Sequence, residues 1–71
     1  MITCRVFKVD YAWSYHFYYI PESLKFNDLK DDLNINKIKK EHYIGKYNIP
    51  LELLCNYHRK NGYYYVINLN D

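Results

Sequence analysis

The chain has 71 residues, a fifth of them aromatic, and a formal net charge of +2. At this length the sequence makes one small domain, residues 1–71, which buries only about 60% of the surface its unfolded chain exposes. So small a charge excludes bulk electrostatics as a sufficient basis for nucleic-acid binding, two cysteines exclude the disulfide framework of a secreted mini-protein, and no apolar run approaches the ~18 residues of a membrane span.

Residues 2–9, ITCRVFKV, alternate partly: Ile2, Cys4 and Val6 point one way, Phe7 and Val9 the other. That pattern predicts a strand. Residues 13–20 alternate more clearly, with Trp13, Tyr15, Phe17 and Tyr19 on one face and Ser14, His16, Tyr18 and Ile20 on the other. The connection Asp10-Tyr11-Ala12 has no glycine, so an antiparallel hairpin here needs a loop of three or more residues. Pro21 closes the second strand, because it has no N–H to continue a ladder.

Helix signals follow. A start at Glu22 or Ser23 puts Leu24 near the beginning and Phe26, Leu29 and Leu33 on one face, with Asp28, Asp31 and Asp32 on the other. Asn34 and Asn36 are the expected terminators. Around Gly45, His42-Tyr43-Ile44 and Tyr47-Asn48-Ile49 read as one bulged strand or as a loop with a short strand.

Residues 50–60 admit two readings. Pro50 at a first helical position, Leu51, Leu54, Cys55 and His58 on one face, and Gly62 as C-cap describe a helix. Asn61-Gly62 as a type I′ turn would instead join strands 54–60 and 63–69. The helix is favoured, because Tyr57-His58-Arg59-Lys60 lacks an apolar alternation. Tyr63–Leu69 is a strand on either reading, apolar on both faces and therefore expected in the middle of the sheet. The order β-β-α-(β)-α-β predicts an α+β fold: a three- or four-stranded, mainly antiparallel sheet with one or two helices packed on one face.

Chemistry-bearing motifs are sparse. Cys55-x-x-His58 has ligand-like spacing, with Cys4, His16 and His42 elsewhere, but a structural zinc site normally shows two close ligand pairs and only one is present. No metal site, cofactor or catalytic set is predicted. A nucleophilic cysteine needs a base and a pocket, which one helical layer on a sheet rarely encloses, and the two glycines form no phosphate-binding loop. The chain is read as not an enzyme.

The aromatic load carries the functional expectation. One face of the second strand must pack as core, and the other, headed by His16 and Tyr18 and joined by Tyr64, is expected to stay open to a partner. Ile, Lys, Asn and Tyr, all with AT-rich codons, make up nearly half the chain, so part of the tyrosine excess is compositional. In size and in that composition the chain is similar to the small inhibitors that phages and other mobile elements make against host or defence proteins, the anti-CRISPR class among them; the likeness covers no motif.

These observations predict a cytoplasmic, reduced, non-enzymatic protein-binding module of inhibitor type that blocks a host protein's surface. Its expected partner-binding residues are Trp13, Tyr15, His16, Tyr18, Tyr64, Lys37, Lys39 and Lys40, the rings as anchors and the lysines as a charged rim. The alternative is a single-stranded nucleic-acid binder, stacking bases on the sheet aromatics and contacting phosphates through the basic lobe around Lys37, Lys39, Lys40 and Lys46. A homodimer is compatible with either.

Overall fold

The computed structural model describes residues 1–70. Its frame is a five-stranded antiparallel sheet in the order β3-β1-β2-β5-β4, formed by β1 (Ile2–Asp10), β2 (Ser14–Pro21), β3 (Tyr43–Ile49), β4 (His58–Lys60) and β5 (Tyr63–Leu69). The fold is small α+β, as expected. The sheet has five strands rather than three or four, and its helical segments lie on both faces rather than on one.

β1 and β2 form the predicted hairpin. The Tyr11-Ala12-Trp13 loop is closed by the Tyr11 N–H donating to the Ser14 carbonyl at 2.8 Å. β1 then pairs on its other side with β3 through a bulge: Val6 faces Gly45 and Phe7 faces Tyr43, which leaves Ile44 as the extra residue. Gly45, at φ 134°, takes a conformation that side-chain-bearing residues rarely adopt.

The predicted 22–36 helix is broken into two pieces, a 3₁₀ turn over Phe26–Leu29 and a single turn, α1, over Leu33–Asn36. Asp32 causes the break. Its side chain accepts from the Asn34 and Ile35 N–H groups and so starts a new helical turn, in which Ile35 is buried and Leu33 is left exposed. Asp32 thus leaves the solvated acidic face assigned to it and sits 4% exposed in the interior.

At residues 50–60 the hairpin prevails. Only Leu51–Leu54 (α2) is helical, and the chain turns back through Asn61 (φ 52°) and Gly62 (φ 90°), both positive as a type I′ turn demands. β4 is held by stacking rather than by apolar alternation: the His58 ring lies 5.0 Å from that of Tyr65, and the Arg59 guanidinium sits 5.8 Å from the Tyr64 ring centroid. β5 is interior but not central; β2 occupies the middle of the sheet.

Two cores result. On one face Phe7, Val9, Tyr18, Ile20 and Tyr63 pack under Leu29 and Ile35, with Leu24, Phe26, Ile38 and Tyr65 at the margin. On the other, Cys4 and Val6 pack under Leu54, bordered by Ile2, Phe17, Tyr19, Ile49, Tyr57 and Tyr64. The long segment between β2 and β3 therefore roofs the first face, while the short stretch around α2 reaches only part of the second.

Candidate functional site: a partly covered aromatic face

Alternation along the strands puts Lys8 of β1, Tyr15, Phe17 and Tyr19 of β2, Tyr64 and Val66 of β5 and Arg59 of β4 on the second face. α2 covers the end near Cys4 and Val6, and the Tyr57 ring stacks on Tyr19 at 5.2 Å. Burial and the neighbouring Tyr57 push the Tyr19 hydroxyl up to about 12, so it is a neutral donor at any physiological pH.

Level with Tyr19 and beyond it, Tyr64, Phe17, Val66 and Tyr15 are only partly buried by the described residues. Tyr15 and Phe17 meet edge to face at 5.8 Å, which holds both rings in place. Lys8 Nζ lies 5.0 Å from the Tyr15 centroid and Arg59 covers Tyr64 from the opposite edge. Each such contact is worth about 0.5–1 kcal/mol at an exposed position. The surface has an aromatic floor and a cationic rim on two sides. At the same end of the sheet Trp13 is 83% and Leu69 77% exposed, with Ile67 also open. The Asn70 N–H donates to the Trp13 carbonyl at 2.9 Å, anchoring the loop backbone beneath the indole.

The structure divides the expected site residues between the two faces. Trp13, Tyr15 and Tyr64 lie at or beside the aromatic floor. Tyr18 does not: it is 2% exposed in the first core, stacked on Tyr65 and tilted against Tyr63, and burial followed by the nearby Tyr11 pushes its hydroxyl up to about 12. The expectation that the face headed by His16 and Tyr18 stays open is therefore corrected. That face carries the long roof, and Tyr64, expected beside Tyr18, points the other way.

His16 shares the Tyr18 face, with the Tyr11 ring 4.5 Å away, Ser14 Oγ 3.2 Å from Nε2 and the Tyr18 hydroxyl 3.3 Å from Nδ1. Desolvation, followed by the charge of Lys37, lowers its pKa, so it is neutral at pH 7. Lys37, at the end of α1, and Lys39 and Lys40, just before β3, belong to the roof of the first face. They are exposed but lie away from the aromatic floor.

Lys8, Arg59 and Val66 are not among the expected site residues, and Phe17 enters the sequence reading only as part of the aromatic stripe with Trp13, Tyr15 and Tyr19. A legible signal existed for Arg59: a two-residue Asn61-Gly62 turn fixes the register that sets Arg59 opposite Tyr64. Cys55 is exposed at the end of α2 while His58 lies in β4 against Tyr65, so the two do not share a helix face. Among the described residues no group of three or more His, Cys, Asp or Glu side chains comes together, and no helix is long and apolar enough to cross a membrane. No protein-family model, curated protein or solved structure matches the chain.

Proposed function

We propose that this chain is a non-enzymatic protein-binding module whose partner docks on the Tyr15, Phe17, Tyr64 and Val66 face. The carrying observation is that floor, left partly uncovered and bordered by Lys8 and Arg59 stacked on its own rings. Rigid aromatic anchors in the middle and charge at the rim are what a protein interface uses for affinity and register. The complementary partner has an apolar centre flanked by carboxylates. Size and composition add the inhibitor class: a small domain that acts by occluding its partner's working surface, in the manner of mobile-element inhibitors.

The nucleic-acid reading is weakened by the same geometry. It requires lysines to follow the phosphates beside the stacked bases, and Lys37, Lys39 and Lys40 sit on the opposite side of the sheet from the rings. Tyr15 and Tyr64 already carry Lys8 and Arg59.

The test is affinity capture from host lysate with the wild-type chain, with Lys8→Glu/Arg59→Glu, and with Lys37→Glu as a control on the other face. A protein retained by the wild type and the control but lost by the double variant supports the reading. Equal retention by all three, or capture of nucleic acid that salt removes, overturns it.

A further inference from the structure

On the face opposite the aromatic floor the roof leaves a cavity of about 540 Å³ between β1, the 3₁₀ turn and the start of β3. Its apolar walls are Phe7, Phe26, Ile38 and Tyr43, with Phe26 edge-on to Phe7 at 5.5 Å and Tyr43 tilted against Phe7 at 5.2 Å. Three cations, Arg5, Lys39 and Lys40, complete the lining, and among the described residues no carboxylate does.

Arg5 is fixed in place. Its Nη2 donates to the Leu24 carbonyl at 2.6 Å and its guanidinium lies 5.2 Å from the Phe26 centroid, while its buried Nε has no acceptor among the described residues. None of the three cations forms an ion pair among the described residues; the salt bridges there involve Lys8, Lys46 and Lys60. An apolar cleft with unspent positive charge selects for a ligand that is greasy at one end and anionic at the other. Its volume falls within the roughly 300–1,000 Å³ of small-molecule sites.

We infer that this cavity binds a small amphiphilic anion, an aromatic or short aliphatic carboxylate, with its apolar part among Phe7, Phe26 and Ile38 and its carboxylate met by Arg5, Lys39 and Lys40. The site is separate from the protein-docking face and stands or falls without it.

The test is an amide-resolved NMR titration with 1-naphthoate and, as the uncharged counterpart, 1-naphthalenemethanol. The expected result is saturable shifts confined to residues 5–7, 26 and 38–43, with the alcohol at least tenfold weaker. Lys39→Glu/Lys40→Glu, at exposed positions where the fold tolerates the change, weakens naphthoate at least tenfold and leaves the alcohol unaltered. Absence of saturable shifts, equal binding of acid and alcohol, equal naphthoate binding by the double variant, or shifts centred on Tyr15, Phe17 and Tyr64 would overturn the assignment.

Discussion

The Tyr63 hydroxyl donates to Asp32 Oδ2 at 2.9 Å, joining the roof of the first face to the start of β5 across 31 positions of sequence. Asn61 Nδ2 donates to the same oxygen at 2.8 Å, and Oδ1 takes the Asn34 and Ile35 N–H groups at 2.9 and 3.1 Å. One buried carboxylate therefore caps α1 and clamps the β4–β5 turn at once. Lys60 Nζ, 4.0 Å away, supplies opposite charge at the surface.

Removing that acceptor strands two buried donors, the Ile35 N–H and the Tyr63 hydroxyl, and two partly buried ones, which is the expensive direction of hydrogen-bond loss. Asp32→Ala is expected to cost about 3 kcal/mol. Asp32→Asn keeps the cap oxygen but turns an amide N–H₂ toward Asn61 and Tyr63, and falls in between. Tyr63→Phe keeps the ring and loses one bond, for about 1–2 kcal/mol. Urea unfolding of the wild type and the two Asp32 variants gives the order Ala, Asn, wild type in rising stability, and a midpoint for Asp32→Ala equal to wild type would contradict the clamp.

The same cluster predicts an acid limb. Burial alone would raise the Asp32 pKa, but the bonds from Ile35, Tyr63, Asn61 and Asn34 together outweigh it and hold the carboxyl below its ordinary value. The unfolded chain then takes up the proton first, so this contribution is complete above an ordinary aspartate pKa of about 3.9 and is lost as pH falls through the lower folded value. His16 acts in a higher window. Its folded pKa is lowered, so some stability is lost as pH drops below about 6.5. Unfolding free energy measured from pH 8 to 2 should show both limbs, with His16→Gln flattening the upper one and Asp32→Asn the lower.

The Asn61-Gly62 turn gives a sharper test of the hairpin. Gly62 sits at φ 90°, where a Cβ would find open space except for Leu24 at 3.5 Å, so the penalty of Gly62→Ala is backbone strain rather than a clash. About 1–2 kcal/mol is expected. Asn61→Gly keeps the turn but removes the bond to Asp32, and should cost less than Gly62→Ala. Thermal melts of the pair decide it: a neutral Gly62→Ala would mean that the turn does not set the register of β4.

Much of this architecture was legible in the sequence because its causes are local. The β1–β2 hairpin and the stop at Pro21 follow from alternation and from the missing donor of proline, although the loop takes Trp13 and leaves Asp10 in β1, and the bulge beside Gly45 is one of the two readings that its missing Cβ allows. A strand before Asn61-Gly62 is the disfavoured of the two sequence readings because ring stacking by His58 and Arg59, not alternation, holds β4 to β5. The single 22–36 helix fails at Asp32: its cap bonds to the Asn34 and Ile35 N–H groups are local, but its place in the interior depends on Asn61 and Tyr63, 29 and 31 positions away. The sidedness of β2 was out of reach for a different reason. Rings occupy both of its faces, so which face is roofed depends on where the long 22–42 segment lands and not on any pattern within the strand. Trp13, Tyr15 and Tyr64 are among the expected partner rings, but the expectation opened the His16 and Tyr18 face instead of the one that carries Tyr15 and Tyr64; Lys8 follows from the β1–β2 register, while Arg59 depends on a β4–β5 register that the helical reading of residues 50–60 concealed.

Tyr18 and Trp13 separate folding from surface chemistry. Tyr18 fills the first core among Phe7, Ile20 and Tyr63, so Tyr18→Ala opens a ring-sized cavity and is expected to cost about 3–5 kcal/mol, enough to unfold a domain this small. Tyr18→Phe keeps the volume and should lose about 1 kcal/mol, with the bond to His16. Trp13 is the chain's single tryptophan and stands almost free of the fold, so Trp13→Ala should leave the urea midpoint in place. Its native emission maximum should lie close to that of the urea-unfolded chain. A native maximum shifted well to the blue would mean that the indole is already covered, in the isolated chain or by a second copy, and dilution distinguishes the two. A maximum that moves to the blue only when a captured partner is added back would place Trp13 within the docking surface, because the indole then loses water that the folded chain alone leaves on it.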